Sequence, residues 1–458
     1  MERKEKFKKW HGGLSSLSLI MVTTLCFLGC RKGNFQEVDN STNNYPTTPV
    51  DSGRNGNGAG YKPAFEGQTR APGAITQTPI VEKEIFRSAK LVHPWAIKQV
   101  DKDLFIISTR QGEMRFFGLD STLSDPIAGV PSVFYNAISG SNAGLFDIAL
   151  DPGFLNNKII YFSYSKGTID GNRLAVSKAK LNISSRSLEN VVEIYESTDP
   201  KEGTNVYGGR LVFDPQGYLF VTVGDRNRTD SHYLAQNMDS SLGKILRIDK
   251  NGKPAPGNPY IGKTGYLPEI WVAGIRSPLG LAYHPVTGEL YETEHGPRGG
   301  DELNIIKPGI NYGWPLISYG LEYGSNNKVA QNRGIEEISG SFPVKYTYNK
   351  AHDNVSNLIS QKEGLEQPRY YWDPVIAPGG ICFYRSNEIK EWKNNLFVCG
   401  LASQKLTRLI LKDGKVIGEE NFLKGRGARM RDVAMGLDGA LYVITDTEEG
   451  RIYKISKK

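Results

Sequence analysis

The body of this 458-residue sequence has no stretch with a sustained helical period, little excess charge and few cysteines. The absence of helical runs between strand-like segments disfavours an α/β fold. The formal net charge of +7 is too small to argue for a nucleic-acid partner. Of the four cysteines, Cys26 and Cys30 lie near the N-terminus, so only Cys382 and Cys399 are available to the body, either as a disulfide or as two free thiols.

A basic segment, MERKEKFKKW, opens the chain, and the apolar run that follows is short for a membrane span. The run ends in Phe27-Leu28-Gly29-Cys30, which resembles a lipoprotein signal-peptidase site with Phe27 where that motif usually has Leu. We therefore predict a lipoprotein-type signal peptide over residues 1–29. This implies export to the periplasm and contact with the membrane only through a lipid anchor on Cys30. An ordinary signal peptide or an uncleaved anchor is the alternative.

Residues 30–80 are rich in Asn, Thr, Ser, Gly and Pro, a composition with too little apolar surface to fold alone. We predict a disordered tether there and a folded domain over residues 81–458. In that domain a polar turn followed by a short alternating strand recurs six times. The six copies are KQVDKDLFIISTR from Lys98, LDPGFLNNKIIYFSYS from Leu150, FDPQGYLFVTVGDR from Phe213, YHPVTGELYETEHGPR from Tyr283, EWKNNLFVCGLAS from Glu391 and MGLDGALYVITDT from Met435.

Dipeptides such as Gln216-Gly217 and Asp438-Gly439 suit the tight turns of hairpins, so each repeat is predicted to be a small antiparallel sheet. Six such sheets avoid exposed edges by packing radially. The sequence therefore predicts an all-β fold, a six-bladed β-propeller with four-stranded antiparallel blades. The loops after the repeated strands are then expected at one mouth of the central channel, where ligands bind. They are residues 108–110, 224–227, 294–297, 401–403 and 445–447.

Several longer segments carry a resemblance to a known family. They are GGRLVFDPQGYLFVTVGDRNR from Gly208, LGKILRIDKNG from Leu242, EIWVAGIRSPLGLAYHPVTGELYETEHGPRGGDELNIIKPGINYGWP from Glu269, and RMRDVAMGLDGALYVITD from Arg429. From about residue 91 to the C-terminus the chain resembles the aldose sugar dehydrogenases and soluble glucose dehydrogenases that depend on pyrroloquinoline quinone (PQQ). The resemblance implies oxidation of the C1 hydroxyl of an aldose to a lactone, with PQQ and Ca²⁺ as cofactors and a separate electron acceptor.

The resemblance also implies roles for individual residues. The backbone carbonyls of Gly296 and Pro297 are expected to hold the calcium ion that bridges to PQQ. The positions of Asp301, Glu302 and Tyr312 match those that hold a structural calcium, and oxygen ligands suit such a hard cation.

Three arginines match residues that bind the cofactor in the family. Arg276 matches the arginine at the reactive quinone oxygens, where a fixed positive charge stabilises the reduced form. Arg429 and Arg431 match two further cofactor ligands, suited to paired hydrogen bonds with carboxylates. Asp225 matches the aspartate that orients the family's catalytic histidine.

That histidine is missing. It stands four residues before the arginine of the GGRL run in the family, and Val206 occupies the position here. Two cofactor positions also differ, with Asn142 where Gln is common and Ser277 where Asn is common. Loss of a positioned base typically lowers the rate by about 10²–10⁴-fold. His295 and His232 are the candidates for a substitute base.

Three hypotheses therefore remain open on the sequence. The chain is a PQQ- and calcium-dependent dehydrogenase of a sugar or related alcohol with a relocated base. Alternatively, it is a catalytically weak or inactive propeller that binds PQQ or a glycan. The third hypothesis is a calcium-dependent propeller of the lactonase type, which gives no reason to keep Arg276, Arg429 and Arg431.

Overall fold

The computed structural model describes residues 48–50, 56, 60–228, 230–321, 335–338, 343–348 and 360–458. The predicted signal peptide, the lipidation site Cys30 and the first part of the predicted tether lie outside these residues. Within the described ranges, none of the helices has the length and apolar character needed to cross a membrane.

The domain consists of six antiparallel sheets, which we call blades 1 to 6. Their strands are β2 (Pro94–Asp101), β3 (Leu104–Thr109) and β4 (Glu113–Gly118) in blade 1; β5 (Leu145–Leu150), β6 (Ile159–Thr168), β7 (Gly171–Asn182) and β8 (Ser187–Glu196) in blade 2; β9 (Gly208–Phe213), β10 (Leu219–Val223), β11 (Lys244–Ile248) and β12 (Ile270–Ala273) in blade 3; β13 (Pro278–Tyr283), β14 (Leu290–Glu294), β15 (Asp301–Ile306) and β18 (Tyr370–Trp372) in blade 4; β19 (Pro378–Phe383), β20 (Leu396–Gly400), β21 (Lys405–Lys412) and β22 (Lys415–Phe422) in blade 5; and β23 (Met430–Met435), β24 (Leu441–Thr445), β25 (Gly450–Lys457) and β1 (Ile80–Ser88) in blade 6.

Few elements lie outside the blades in the described part of the chain. A separate hairpin joins β16 (Ile335–Ile338) to β17 (Lys345–Tyr348). One short α-helix, α1, spans Phe154–Asn157, and 3₁₀ helices span His232–Ala235 and Lys390–Trp392. The turn glycines Gly217 and Gly439 have positive φ angles of 85° and 76°, which the tight hairpins require.

The predicted six-bladed propeller is confirmed, and the ring is closed by the chain itself. Strand β1 pairs with β25 along its whole length, so the first strand of the domain completes the last blade. Blade 1 departs from the prediction, because it has three strands and only an isolated bridge, Phe117–Leu123, at its outer edge.

Arg210 shows how the first strands of the blades meet. Its guanidinium lies 3.3 Å from Asp147 of blade 2 and 3.1 Å from Asp432 of blade 6, and all three side chains are buried. It also donates to the Leu279 carbonyl of blade 4 and lies 4.3 Å from the ring centroid of Trp95 in blade 1. Since Arg210 itself belongs to blade 3, one side chain contacts four other blades. Residues at the ends of these strands therefore face a common axis.

Residues 60–79 differ from the predicted tether, because they pack on the propeller. Gln68 is fully buried and donates to the Pro368 carbonyl at 2.9 Å. The N–H of Ala71 donates to the Tyr370 hydroxyl, and that of Ala74 to the Glu419 carbonyl. The composition of this segment gave no sign of order, because its order depends on hydrogen bonds to residues about 300 positions later in the chain.

Cys382 and Cys399 lie on the neighbouring strands β19 and β20 of blade 5 and are both free. Burial raises the pKa of both thiols. Of the two possibilities left by the sequence, the structure contains the pair of free thiols.

Candidate functional site

Two adjoining cavities contain most of the predicted site residues. The first, which we call the Val206 cavity, has a volume of about 300 Å³ and is lined by Trp95, Arg110, Asn142, Phe146, Val206, Tyr207, Gly208, Ser277, Leu279 and Arg431. The second, the Trp314 cavity, has a volume of about 250 Å³ and is lined by Arg276, Glu294, His295, Gly296, Gly300, Glu302, Tyr312, Trp314, Ile317 and Ser318. The consecutive residues Arg276 and Ser277 join the two, so the propeller brings lining residues together from five blades, blades 1, 2, 3, 4 and 6.

Arg276 is fixed by contacts on both sides of its guanidinium group. Its Nη1 donates to the carbonyls of His295 at 2.9 Å and Gly296 at 3.1 Å, and its Nη2 donates to Asn227 Oδ1 at 2.8 Å. The guanidinium lies 5.1 Å from the ring centroid of Trp314. Its Nε is buried and has no hydrogen-bond partner among the described residues. The positive charge is therefore held in place with one donor unused.

Glu294 at the end of β14 holds the backbone at this junction. Its Oε2 accepts hydrogen bonds from the backbone N–H groups of Arg276 and Ser277. Burial raises the pKa of Glu294 to about 7. Neither Glu294 nor Asn227 was predicted as a site residue, although both lie in the loops expected at the channel mouth.

Asp225 has partners on both of its oxygens. Oδ2 lies 2.5 Å from His232 Nδ1 and accepts from Trp314 Nε1 at 2.7 Å, while Oδ1 accepts the backbone N–H of Asn227 at 2.7 Å. Burial favours the neutral acid, but His232 and Arg276 hold the pKa of Asp225 below its usual value. The aspartate that orients a histidine in the family is thus paired here with a different histidine.

His232, the partner of Asp225, is buried. It begins the 3₁₀ helix His232–Ala235, is 3% exposed, and lies edge-on to Trp314 with 5.1 Å between ring centroids. It does not line either cavity. His232 therefore positions Asp225 in this structure, and direct contact with a substrate would require Trp314 to move.

Lys244, the first residue of β11, holds the same helix. Its buried Nζ donates to the carbonyls of Leu234, Ala235 and Leu242 at 2.8 to 2.9 Å. Burial lowers the pKa of Lys244 to about 7, although Asp199 and Asp239 act in the opposite direction. The Lys244 side chain therefore ties the turn that carries His232 to blade 3.

We expect Lys244→Met to lower the free energy of unfolding at pH 9 by about 2–3 kcal/mol, because the neutral amine present at that pH still donates its two N–H bonds to these buried carbonyls and methionine donates none. The pKa of this lysine falls from 10.5 in its ordinary state to about 7 in the folded protein. Between these values the unfolded chain binds more protons, so wild-type stability rises with pH, by at most about 1.4 kcal/mol per pH unit. Denaturant titrations should show the gap between wild type and variant widening from pH 6.5 to 9. A constant gap would mean that the ammonium stays charged throughout.

Val206 occupies a backbone conformation that β-branched residues rarely adopt, with φ of 49°. Its carbonyl accepts the Arg226 N–H at 3.1 Å, so position 206 lies beside Asp225. The lining of its cavity contains no carboxylate and no imidazole. This cavity thus has no ordinary proton acceptor at the position where the family has one.

His295 is the other candidate base. Its Nε2 lies 2.8 Å from the Pro378 carbonyl, which can only accept, so the proton sits on Nε2 and Nδ1 carries the lone pair. Burial, together with the charges of three arginines, lowers its pKa to about 3. His295 is therefore neutral at physiological pH and weakly basic.

Three arginines surround Asp446 in the loop after β24. Arg431 Nη2 donates to its Oδ2 at 2.5 Å, and Arg429 Nε lies 3.4 Å from the same oxygen. Arg110 Nε lies 3.9 Å from Oδ1, and His93 Nδ1 lies 2.9 Å from it. The arginines hold the pKa of this buried carboxyl well below its usual range. The structure thus brings Arg429 and Arg431 together, although only Arg431 lines the Val206 cavity and the Arg429 side chain is 47% exposed.

The predicted calcium residues divide into two groups. The side-chain oxygens of Asp301 accept three backbone N–H groups, from Gly296, Ile376 and Ala377, and the Tyr312 hydroxyl donates to the Ile305 carbonyl. These side chains are already used by the fold. Gly296 and Glu302 line the Trp314 cavity together with Glu294. Tyr312 lines it as well, although its hydroxyl is already bonded, and Pro297 is buried beside Gly296.

In the described ranges, no three His, Cys, Asp or Glu side chains are arranged to hold a metal ion. A calcium ion would therefore depend on backbone carbonyls as well as carboxylates. Gly296, Glu294 and Glu302 line the same cavity. The Gly296 carbonyl and the two carboxylates are hard oxygen donors, which suit a calcium ion.

The chain is similar in sequence to several known proteins. The family model described as Glucose / Sorbosone dehydrogenase matches residues 91–342 and 340–454. Aldose sugar dehydrogenase YliI of Escherichia coli is 35% identical over 371 residues, which cover 81% of this chain and 91% of the relative. Quinoprotein glucose dehydrogenase B of Acinetobacter calcoaceticus is 26% identical over 76% of this chain and 81% of its own length.

Among solved structures, the soluble aldose sugar dehydrogenase of Escherichia coli in its apo form superposes with a TM-score of 0.71 at 33% identity. The match covers 83% of this chain and 100% of that structure. The similarity therefore spans the whole propeller.

Proposed function

Because the chain belongs to the glucose and sorbosone dehydrogenase family, we propose that it oxidises the C1 hydroxyl of an aldose sugar, or a related alcohol, to a lactone with PQQ and Ca²⁺. The observation that carries this proposal is the meeting of two cavities at Arg276 and Ser277, with Arg276 lining one cavity and Arg110 and Arg431 lining the other.

The residues present suit PQQ, an aromatic tricarboxylate. Buried guanidinium nitrogens of Arg110, Arg276 and Arg431 have no hydrogen-bond partner among the described residues. Such donors are costly to bury unless an anion binds them. Asn142 and Ser277 add an amide and a hydroxyl to the wall that Arg431 lines.

When bound, PQQ would supply the hydride-accepting quinone. Arg276, held by its backbone carbonyl partners and Asn227, would stabilise negative charge on the quinone oxygens. The Gly296 and Pro297 carbonyls would hold a bridging Ca²⁺, and Glu302 would belong to the ligand set of the structural ion. Asp225 would act as a positioning residue through Asn227.

One observation favours the second candidate, a catalytically weak propeller that binds PQQ or a glycan. No carboxylate or imidazole lines the Val206 cavity. The two histidines that the sequence offers as a relocated base are His295, which lines the Trp314 cavity with Arg276, and His232, which would need displacement of Trp314. We favour His295 because it already lines the cavity, with slow turnover as the consequence of its low basicity.

Export to the periplasm and lipid anchoring through Cys30 form part of the same proposal, supported by the N-terminal sequence. The exported protein would then bind its sugar and an unidentified electron acceptor outside the cytoplasm.

The test is to incubate purified protein with PQQ and Ca²⁺ and to measure reduction of an artificial electron dye across a panel of aldoses. The proposal predicts aldose-dependent reduction that disappears when PQQ is omitted or Ca²⁺ is chelated. Binding of PQQ without dye reduction would establish the second candidate instead, and failure to bind PQQ would contradict both in their PQQ form.

A further inference from the structure

Arg110 is a cationic residue at the Val206 cavity whose role the family resemblance did not supply. It follows β3 in blade 1, and its backbone is fixed by bonds to the His93 carbonyl at 3.0 Å and from the Leu145 N–H at 3.2 Å. A Cβ atom on Gly144 would lie 2.0 Å from the Arg110 carbonyl oxygen, so only glycine permits this close approach. The side chain is therefore projected from a constrained position between blades 1 and 2.

Charge is unbalanced around this side chain. Arg110, Arg429 and Arg431 share one carboxylate, Asp446, and the Arg110 Nε is 3.9 Å away from it, too far for a hydrogen bond. Arg110 Nη1 donates to the Ser141 carbonyl, whereas the buried Nε of both Arg110 and Arg431 has no hydrogen-bond partner in the described part of the chain. The cluster thus retains positive charge and unused donors.

The cavity wall indicates which anion would use them. Arg110 and Arg431 line it with Asn142 and Ser277, and no acidic residue is part of that lining. Trp95, Phe146 and Tyr207 add aromatic rings to the lining of the same cavity. Guanidinium groups bind carboxylates in pairs of hydrogen bonds, and aromatic walls suit a planar ring.

We infer that Arg110 is a second arginine of the Val206 cavity, beside Arg431, and binds a carboxylate of a planar aromatic polycarboxylate. This inference rests on the proposed function, because PQQ is the ligand of that class that the proposed reaction requires. With Arg110, the anion-binding side of the Val206 cavity extends from blade 6, which carries Arg431, to blade 1.

The test compares Arg110→Gln and Arg110→Lys with wild type, using two probes measured by calorimetry or ligand fluorescence. The probes are PQQ with Ca²⁺ and benzene-1,2,4-tricarboxylate, which has three carboxylates on a planar ring and no quinone. Arg115→Gln is the matched control, since Arg115 lies on β4 of the same blade, is equally well buried and pairs with Glu113 away from the cavity.

The glutamine variant should bind both probes about 10- to 100-fold more weakly, the lysine variant should lose less, and the control should match wild type. Thermal unfolding shows whether the glutamine variant has a folding defect. If it has, the lysine variant decides the test: wild-type affinity of Arg110→Lys for both probes would overturn the inference. Arg110-dependent binding of the tricarboxylate without PQQ binding would uphold the inference and reject the proposed function. Arg110-independent binding of both probes would overturn the inference, while PQQ-dependent dye reduction would still uphold the proposed function. If wild type binds neither probe, both the inference and the proposed function are overturned.

Discussion

Arg276→Gln is expected to lower PQQ-dependent dye reduction by about 10²–10³-fold, the loss typical when one group that stabilises developing charge is removed. The wild-type guanidinium is held by two backbone carbonyls, the Asn227 amide and the face of Trp314. Its charge is therefore available without rearrangement during the reaction. Single-turnover measurements at saturating PQQ separate this loss from weaker cofactor binding.

Two controls accompany this variant. Arg276→Lys keeps the charge but not the planar set of donors, so an intermediate rate is expected. Asn227→Ala removes only one of the contacts that orient Arg276 and should have a smaller effect, about tenfold. A glutamine variant that reduces PQQ at the wild-type rate would show that Arg276 holds the loop of residues 294–296 and takes no part in the chemistry.

The second large effect is expected from restoring a histidine at position 206. Val206→His alone should raise dye reduction by less than about tenfold, because Asp225 Oδ2 is already bound by His232 and Trp314. Combined with His232→Leu, which removes one of the two partners of that oxygen and leaves only Trp314, the same change should raise the rate by about 10²–10⁴-fold. Histidine also tolerates the left-handed backbone of this position better than valine.

A double-mutant cycle over the two positions is the measurement, with Val206→Leu as a control for size. The two changes should be strongly cooperative. Additive effects, or a full gain from Val206→His alone, would show that Asp225 is not the limiting partner. A lower rate in His232→Leu alone would show that the wild-type reaction depends on His232, either as a base or through its contact with Asp225.

The fold could be predicted because its signals are local. Strand β10, for example, is a run of five strand-forming residues that are all buried, and the turn before it needs only Gly217 in its positive-φ conformation. Circular closure then follows from the number of repeats. Alignment of Arg276 and Arg431 with a family motif was sufficient to place them at the cavities.

The partners of these residues could not be predicted, because they depend on contacts across the ring or through short irregular segments. The Asp225–His232 pair forms through a 3₁₀ helix that has no sequence period. The Asp446 cluster draws Arg110 and Arg431 from opposite ends of the domain sequence. The backbone strain at Val206 is visible only in the dihedral angle.

A crystal structure of the protein with PQQ and Ca²⁺ shows whether one anionic quinone is bound where the guanidinium groups meet. We predict one PQQ per chain, with its quinone oxygens within hydrogen-bond distance of Arg276 and a carboxylate on Arg431. A complex in which PQQ lies outside both cavities, or in which saturating PQQ leaves both without ligand density, would contradict the proposed cofactor site.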